Sequence, residues 1–122
     1  MDLKFLLGAA LLVAAPAAEA HHSRAMFNVQ APVELTGTVR EFQFTNPHCY
    51  IQLTVAGRTG QAEEWSVEMG PPHSLRERGW GKNTLKPGDR ITLTIAPLRN
   101  GNRGGELHTL RSINGRPVEQ RS

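Results

Sequence analysis

Residues 33–69, VELTGTVREFQFTNPHCYIQLTVAGRTGQAEEWSVEM, decide the fold. Val33, Leu35, Gly37 and Val39 alternate with Glu34, Thr36, Thr38 and Arg40, the period-two pattern of a half-buried strand. Phe42 and Phe44 then fall on the opposite parity, which predicts a bulge near Arg40 and Glu41 and a bent strand. Thr45-Asn46-Pro47-His48 reads as a turn, because Pro47 holds its own φ and biases Asn46 away from helix. Cys49, Ile51, Leu53 and Val55 share one face of a second strand, with Tyr50, Gln52 and Thr54 on the other. A hairpin loop over residues 57–60 returns the chain through a third strand, where Trp65, Val67 and Met69 face one way and Glu64, Ser66 and Glu68 the other.

Beyond this stretch, Gly70-Pro71-Pro72 stops the third strand, and Ser74-Leu75-Arg76-Glu77 has the spacing of a capping box for a short helix closed by Gly79. Leu85-Lys86-Pro87-Gly88-Asp89 is turn chemistry, and Ile91, Leu93 and Ile95 mark a fourth strand. The loop at residues 100–105 leads to a fifth strand of mixed parity, since Leu107 and Ile113 share one and His108 and Leu110 the other. Asn114-Gly115 can turn the chain into a short sixth strand. Three strands, a helix and two or three strands predict an all-β fold, a small five- to six-stranded OB-fold-like Greek-key barrel. An open sandwich is the alternative, because alternation alone does not give strand order.

Towards the amino terminus, Lys4 precedes an eleven-residue apolar run, FLLGAALLVAA, at residues 5–15. Crossing a bilayer takes about 18 apolar residues, so the run reads as the core of a signal peptide. Pro16 ends it, and Ala18-Glu19-Ala20 supplies the small residues for cleavage after Ala20. The expected organisation is a signal peptide at 1–20, an N-terminal segment at 21–32, the barrel at 33–118 and a tail at 119–122. The protein is then periplasmic or secreted, with no stable membrane anchor after cleavage, since the one cysteine, Cys49, is too far downstream to receive a lipid.

The mature 102 residues make one domain with a modest core. Losing Lys4 with Asp2 and Glu19 raises the formal net charge from +3 to +4. The basic residues are dispersed from Arg24 to Arg121 without a run, which argues against a nucleic-acid partner. One cysteine allows no internal disulfide, and the parity of Cys49 with Ile51 and Leu53 points it to the core.

The combination of His21-His22-Ser23, Gly37-Thr38-Val39 with Phe42 and Phe44, Asn46-Pro47-His48, Glu64-Trp65, Arg78-Gly79-Trp80 and Leu85-Lys86-Pro87-Gly88-Asp89 resembles a family of small secreted bacterial proteins classed as a domain of unknown function. The resemblance covers nearly all of the mature chain and implies no activity. Members more often carry a small residue and then Trp where this chain has Cys49 and Tyr50.

Cleavage after Ala20 would itself create a candidate site. His21 would gain a free amine beside its imidazole, and those two nitrogens with a third from another histidine form the T-shaped histidine brace that suits copper. His22 offers a second mode, through the amine, the deprotonated 21–22 amide and its own imidazole. The motif that requires histidine at mature position three is excluded by Ser23. His48, in a turn beside a strand end, is the first choice to complete the site, with His108 and then His73 behind it. The expected ligands are thus His21, His22, His48 and His108, and the expected cofactor is copper.

Enzymatic patterns are missing. Glu64 and Glu68 share a face but lie about 13 Å apart along a strand at ~3.3 Å per residue, beyond the about 5 to 9.5 Å of paired glycosidase carboxylates. No Ser-His-Asp order, nucleophile elbow, phosphate loop or haem-attachment motif occurs. The leading expectation is a non-enzymatic metal-binding protein. The alternative is an OB-fold binding module for a protein, peptide or glycan partner, contacting it around Tyr50 and Trp65. A copper oxygenase is a third and weaker reading, since a brace alone does not make an oxidase.

Overall fold

The computed structural model describes residues 24–121. The expected signal peptide, its cleavage site, His21 and His22 lie outside them. A 3-10 turn at Arg24–Met26 leads into β1 (Val33–Gln43), β2 (Tyr50–Ala56), β3 (Ala62–Glu68), the short helix α1 (Pro72–Glu77), β4 (Arg90–Pro97), β5 (Gly104–Ile113) and β6 (Arg116–Arg121). Neighbours run β3-β2-β1-β4-β5-β6, and a parallel β3–β5 pairing closes the first five strands into a barrel. This is the expected small all-β Greek-key barrel, with β6 added outside the closure on β5.

The strand β1 can serve two neighbours because it bends. Its first half pairs with β4 and its second with β2, and Gly37 and Thr38 pair with both. The register shift falls between Val39 and Glu41, at the bulge expected from the change of parity. Gly37 is required by close approach, since a Cβ there would lie 2.6 Å from the Thr54 carbonyl oxygen.

In β5 the same device explains the mixed parity. Leu107, Leu110 and Ile113 stand opposite Ile95, Leu93 and Ile91 of β4, three residues of β5 for every two of β4, with a register shift in each interval. Each extra residue turns the next apolar side chain back towards the core, so strict alternation is broken in sequence while the inward row is kept in space.

The helix begins otherwise than expected. Pro71 is its N-cap and makes no side-chain capping bond, and Pro72 is the first helical residue, so the expected Ser74-to-Glu77 capping box is not formed. Proline is pre-organised for that first position and lacks a donor that the helix would leave unpaired anyway. The C-terminal end is as expected. Gly79 adopts φ +86°, and the Trp80 amide donates to the Leu75 carbonyl, a Schellman closure.

Inside the barrel, Val39, Ile51, Leu53, Val67, Ile91, Leu93, Ile95 and Leu110 are buried. At about 1.5–3 kcal/mol for each large aliphatic side chain buried, this packing provides the cohesion of a chain with one unpaired cysteine. Trp80 and Leu75 cap the core from the helix side, with Phe42 tilted against Trp80 at 6.0 Å. Among the described residues no helix is long and apolar enough to cross a membrane.

Candidate functional site

The strand pair that closes the barrel also gathers its polar chemistry. Val67 on β3 and Met69 just after it are buried, so Glu68 between them projects from the outer surface. On β2, Tyr50 stands opposite Glu68, and on β5, Glu106 stands opposite it from the other side. His48, in the turn before β2, places Nδ1 2.7 Å from Glu68 Oε1. Tyr50 lies beside this carboxylate in the β2–β3 pairing, and burial first, with the Glu68 charge second, raises its pKa above the usual tyrosine value.

The carboxylate determines what His48 can do. An ionised carboxylate only accepts hydrogen bonds, so Nδ1 carries the proton and a neutral ring presents its lone pair at Nε2. Carboxylate–histidine pairs of this form orient metal-ligating imidazoles and raise their basicity.

Glu106 carries the arriving chain. Arg24 Nη2 lies 3.0 Å from Glu106 Oε1. Arg24, Glu106 and His108 line one shallow groove with Val29 and Pro32, and Arg24 and Glu106 line a second with Met69, Gly70 and Arg78. The ion pair therefore shares one groove with His108, and its Glu106 is in register with Glu68 across the β3–β5 seam.

Of the sequence-predicted ligands, His48 and His108 are thus both near the β3–β5 seam, whereas His73 is exposed on α1. His21 and His22 are outside the described residues. Among those residues no group of three or more His, Cys, Asp or Glu side chains is arranged to hold a metal ion. Glu106 was missed in the sequence, and Glu68 and Tyr50, weighed there for other roles, were not connected with His48. The tight hairpin could have found Glu68, because pairing Ala56 with Ala62 and counting outward sets Tyr50 against Glu68.

Cys49 is fully buried, with Sγ 3.8 Å from the Thr45 carbonyl oxygen. Burial raises its thiol pKa, outweighing the lowering effects of that hydrogen bond and of the Arg76 charge. Since the thiolate is the nucleophile, Cys49 is expected to resist iodoacetamide in the native protein and to react rapidly in denaturant. Mass spectrometry of the alkylated fraction over time checks this, and comparable rates in the two states would refute it.

The outer surface of β1 to β3 is cross-linked by polar side chains. Gln52 donates to Gln43, Thr54 donates to Glu64, and Arg40 pairs with Glu64. Trp65 is half-buried against the core and donates from Nε1 to Glu63. The exposed large apolar residues, Met26, Val29 and Val33, are on the entering chain and the start of β1 instead.

Comparison with protein families finds that residues 9–108 match a model described as Family of unknown function (DUF6152). No curated protein matches the chain.

Proposed function

Since the chain belongs to that family of unknown function, its role has to be read from its own residues, and we propose that it is an exported metal-binding protein that holds copper between His21, at the amino terminus left by cleavage, and His48. One observation carries this reading. Arg24 is fastened to Glu106, which stands in register with Glu68, the carboxylate that holds His48.

The distances are compatible with a shared site. Adjacent strands lie about 4.8 Å apart, and the three residues from Arg24 back to His21 span at most about 10 Å. The donors suit the ion as well. A terminal amine and imidazoles match the softness and tetragonal preference of Cu(II), while hard, oxygen-seeking cations would favour carboxylates and carbonyls. The reading is of a carrier or store, because an amine and imidazoles are ligands that hold the ion without themselves adding a reacting group.

The test uses protein exported with its own signal, so that His21 is exposed, against a form with three additional non-histidine residues before His21, which keeps histidine out of the first three positions. Electron paramagnetic resonance of the processed protein should show Cu(II) bound by several nitrogens, and the added residues should remove that signal. Equal binding by both forms, or by neither, refutes the proposal.

A further inference from the structure

The chain contains two Asn-Gly bonds, Asn100-Gly101 in the loop from β4 to β5 and Asn114-Gly115 in the turn from β5 to β6. Glycine after asparagine favours cyclisation, because no side chain obstructs the glycine nitrogen as it approaches the asparagine carboxamide. Both asparagines are exposed, and nothing lies within 4 Å of where a Cβ would stand on either glycine. Access to solvent therefore does not separate the two bonds. The way each carboxamide is held does.

At Asn114 both ends of the carboxamide are tied to the start of β4. Oδ1 accepts from the Arg90 amide at 2.8 Å, and Nδ2 donates to Asp89 Oδ1 at 3.0 Å. The nitrogen that would leave is thus bonded to a carboxylate, and the Asn114 amide is itself fixed to the Arg90 carbonyl at 2.7 Å. At Asn100 only Oδ1 is engaged, 2.9 Å from the Asn102 amide, and among the described residues Nδ2 has no partner. That bond spans Gly101 and folds Cγ towards the Gly101 nitrogen. It also places a donor on the oxygen that takes up negative charge when Cγ is attacked.

We propose that Asn100 is a site of spontaneous deamidation and isoaspartate formation, and that Asp89 and Arg90 protect Asn114 from the same reaction. Hydroxide takes the Gly101 N–H proton, the nitrogen forms a bond to Asn100 Cγ, and the bond from Cγ to Nδ2 breaks. Ammonia leaves with a proton from water, which regenerates hydroxide, and a succinimide ring remains. Water then opens the ring at either carbonyl, giving aspartate or isoaspartate at position 100. Isoaspartate adds a carbon to the main chain of a turn closed by the Gly101 amide on the Leu98 carbonyl at 3.3 Å. Within that turn Arg99 holds the Met26 carbonyl at 2.9 Å and the Ala25 carbonyl at 3.0 Å, so the modified loop grips the entering chain less firmly.

Folded protein kept warm at mildly alkaline pH is sampled over time beside protein in denaturant. Trypsin releases the two bonds on separate peptides, because Arg103 and Arg111 lie between them. Mass spectrometry reads the exchange of NH2 for OH, and chromatography separates the isoaspartyl peptide. In the folded protein Asn100 is expected to convert at least about tenfold faster than Asn114, the effect of one hydrogen bond to a charged group. In denaturant that gap should largely close. Asn100→Gln, which would have to close a larger and slower-forming ring, should abolish the mass gain on its peptide and so distinguishes Asn100 from Asn102. Asp89→Ala should speed conversion of Asn114, with circular dichroism melts confirming that the variant is folded. Hydrogen exchange at the Arg99 amide should be faster in aged protein than in fresh.

Folded Asn100 that converts no faster than Asn114, or a mass gain that persists in Asn100→Gln, overturns the proposal. A folded Asp89→Ala protein with unchanged Asn114 overturns the protective role of Asp89, and unchanged exchange at Arg99 overturns the loosening of the entering chain. None of these outcomes depends on copper.

Discussion

Valine in place of Gly105 is expected to cost about 3 kcal/mol or more, the upper end for overpacking a closed interior. Gly105 sits where β5 pairs with Pro97 of β4 and Val67 of β3 together. A Cβ at this position would meet the Ala96 carbonyl oxygen at 2.5 Å and Ile95 Cδ1 at 2.8 Å. The first contact is backbone in a paired strand, so relief requires β4 or β5 to move and the barrel seam to open. With a melting shift of about 4–8 °C per kcal/mol for a domain of this size, the expected fall in Tm is at least about 12 °C by circular dichroism. Gly81→Ala is the control, because nothing lies within 4 Å of its Cβ position, and it should be nearly neutral. A Gly105→Val protein that melts within about 2 °C of wild type would show that the seam tolerates separation.

The second large effect concerns copper. His48→Ala removes a proposed ligand and is expected to weaken Cu(II) binding by more than a hundredfold, while Glu68→Gln should weaken it by about 10- to 100-fold, the usual loss when a carboxylate behind a ligating histidine is removed. Glutamine retains much of the shape of Glu68 but none of its charge. It can also turn its amide nitrogen towards Nδ1, which would favour the other tautomer. The order of the two effects is therefore part of the prediction. Isothermal titration against a competing chelator reads both, and an unchanged Kd in His48→Ala would remove His48 from the site. Because Tyr50 also stands beside Glu68, Tyr50→Phe separates the phenol from the tautomer effect and should change affinity less than Glu68→Gln.

Much of the barrel was legible because its strands obey a local rule. Alternation marked β1 to β4, the slip of parity at Phe42 located the bulge, and Asn114-Gly115, with both φ angles positive, makes the turn into β6. The places where local reading failed have physical causes. The capping-box spacing at Ser74 was outcompeted by two prolines that start the helix earlier without any side-chain cap. The parity of β5 was unreadable because two one-residue irregularities are absorbed by its pairing with β4, and neither leaves a glycine or proline to mark it.

The candidate site divides along the same line. Its histidines, the inward parity of Cys49 and, through the hairpin count, the Tyr50–Glu68 pairing are properties of short stretches of chain. Local backbone geometry carries that information, so the sequence by itself determined an all-β protein with His48 beside a strand end and a thiol turned to the core. The meeting of Glu68 with Glu106, and of Glu106 with Arg24, joins residues 38 and 82 positions apart. Only closure of β5 onto β3 decides it, because a parallel pairing between distant strands is selected by the packing of the whole barrel and has no turn to set its register.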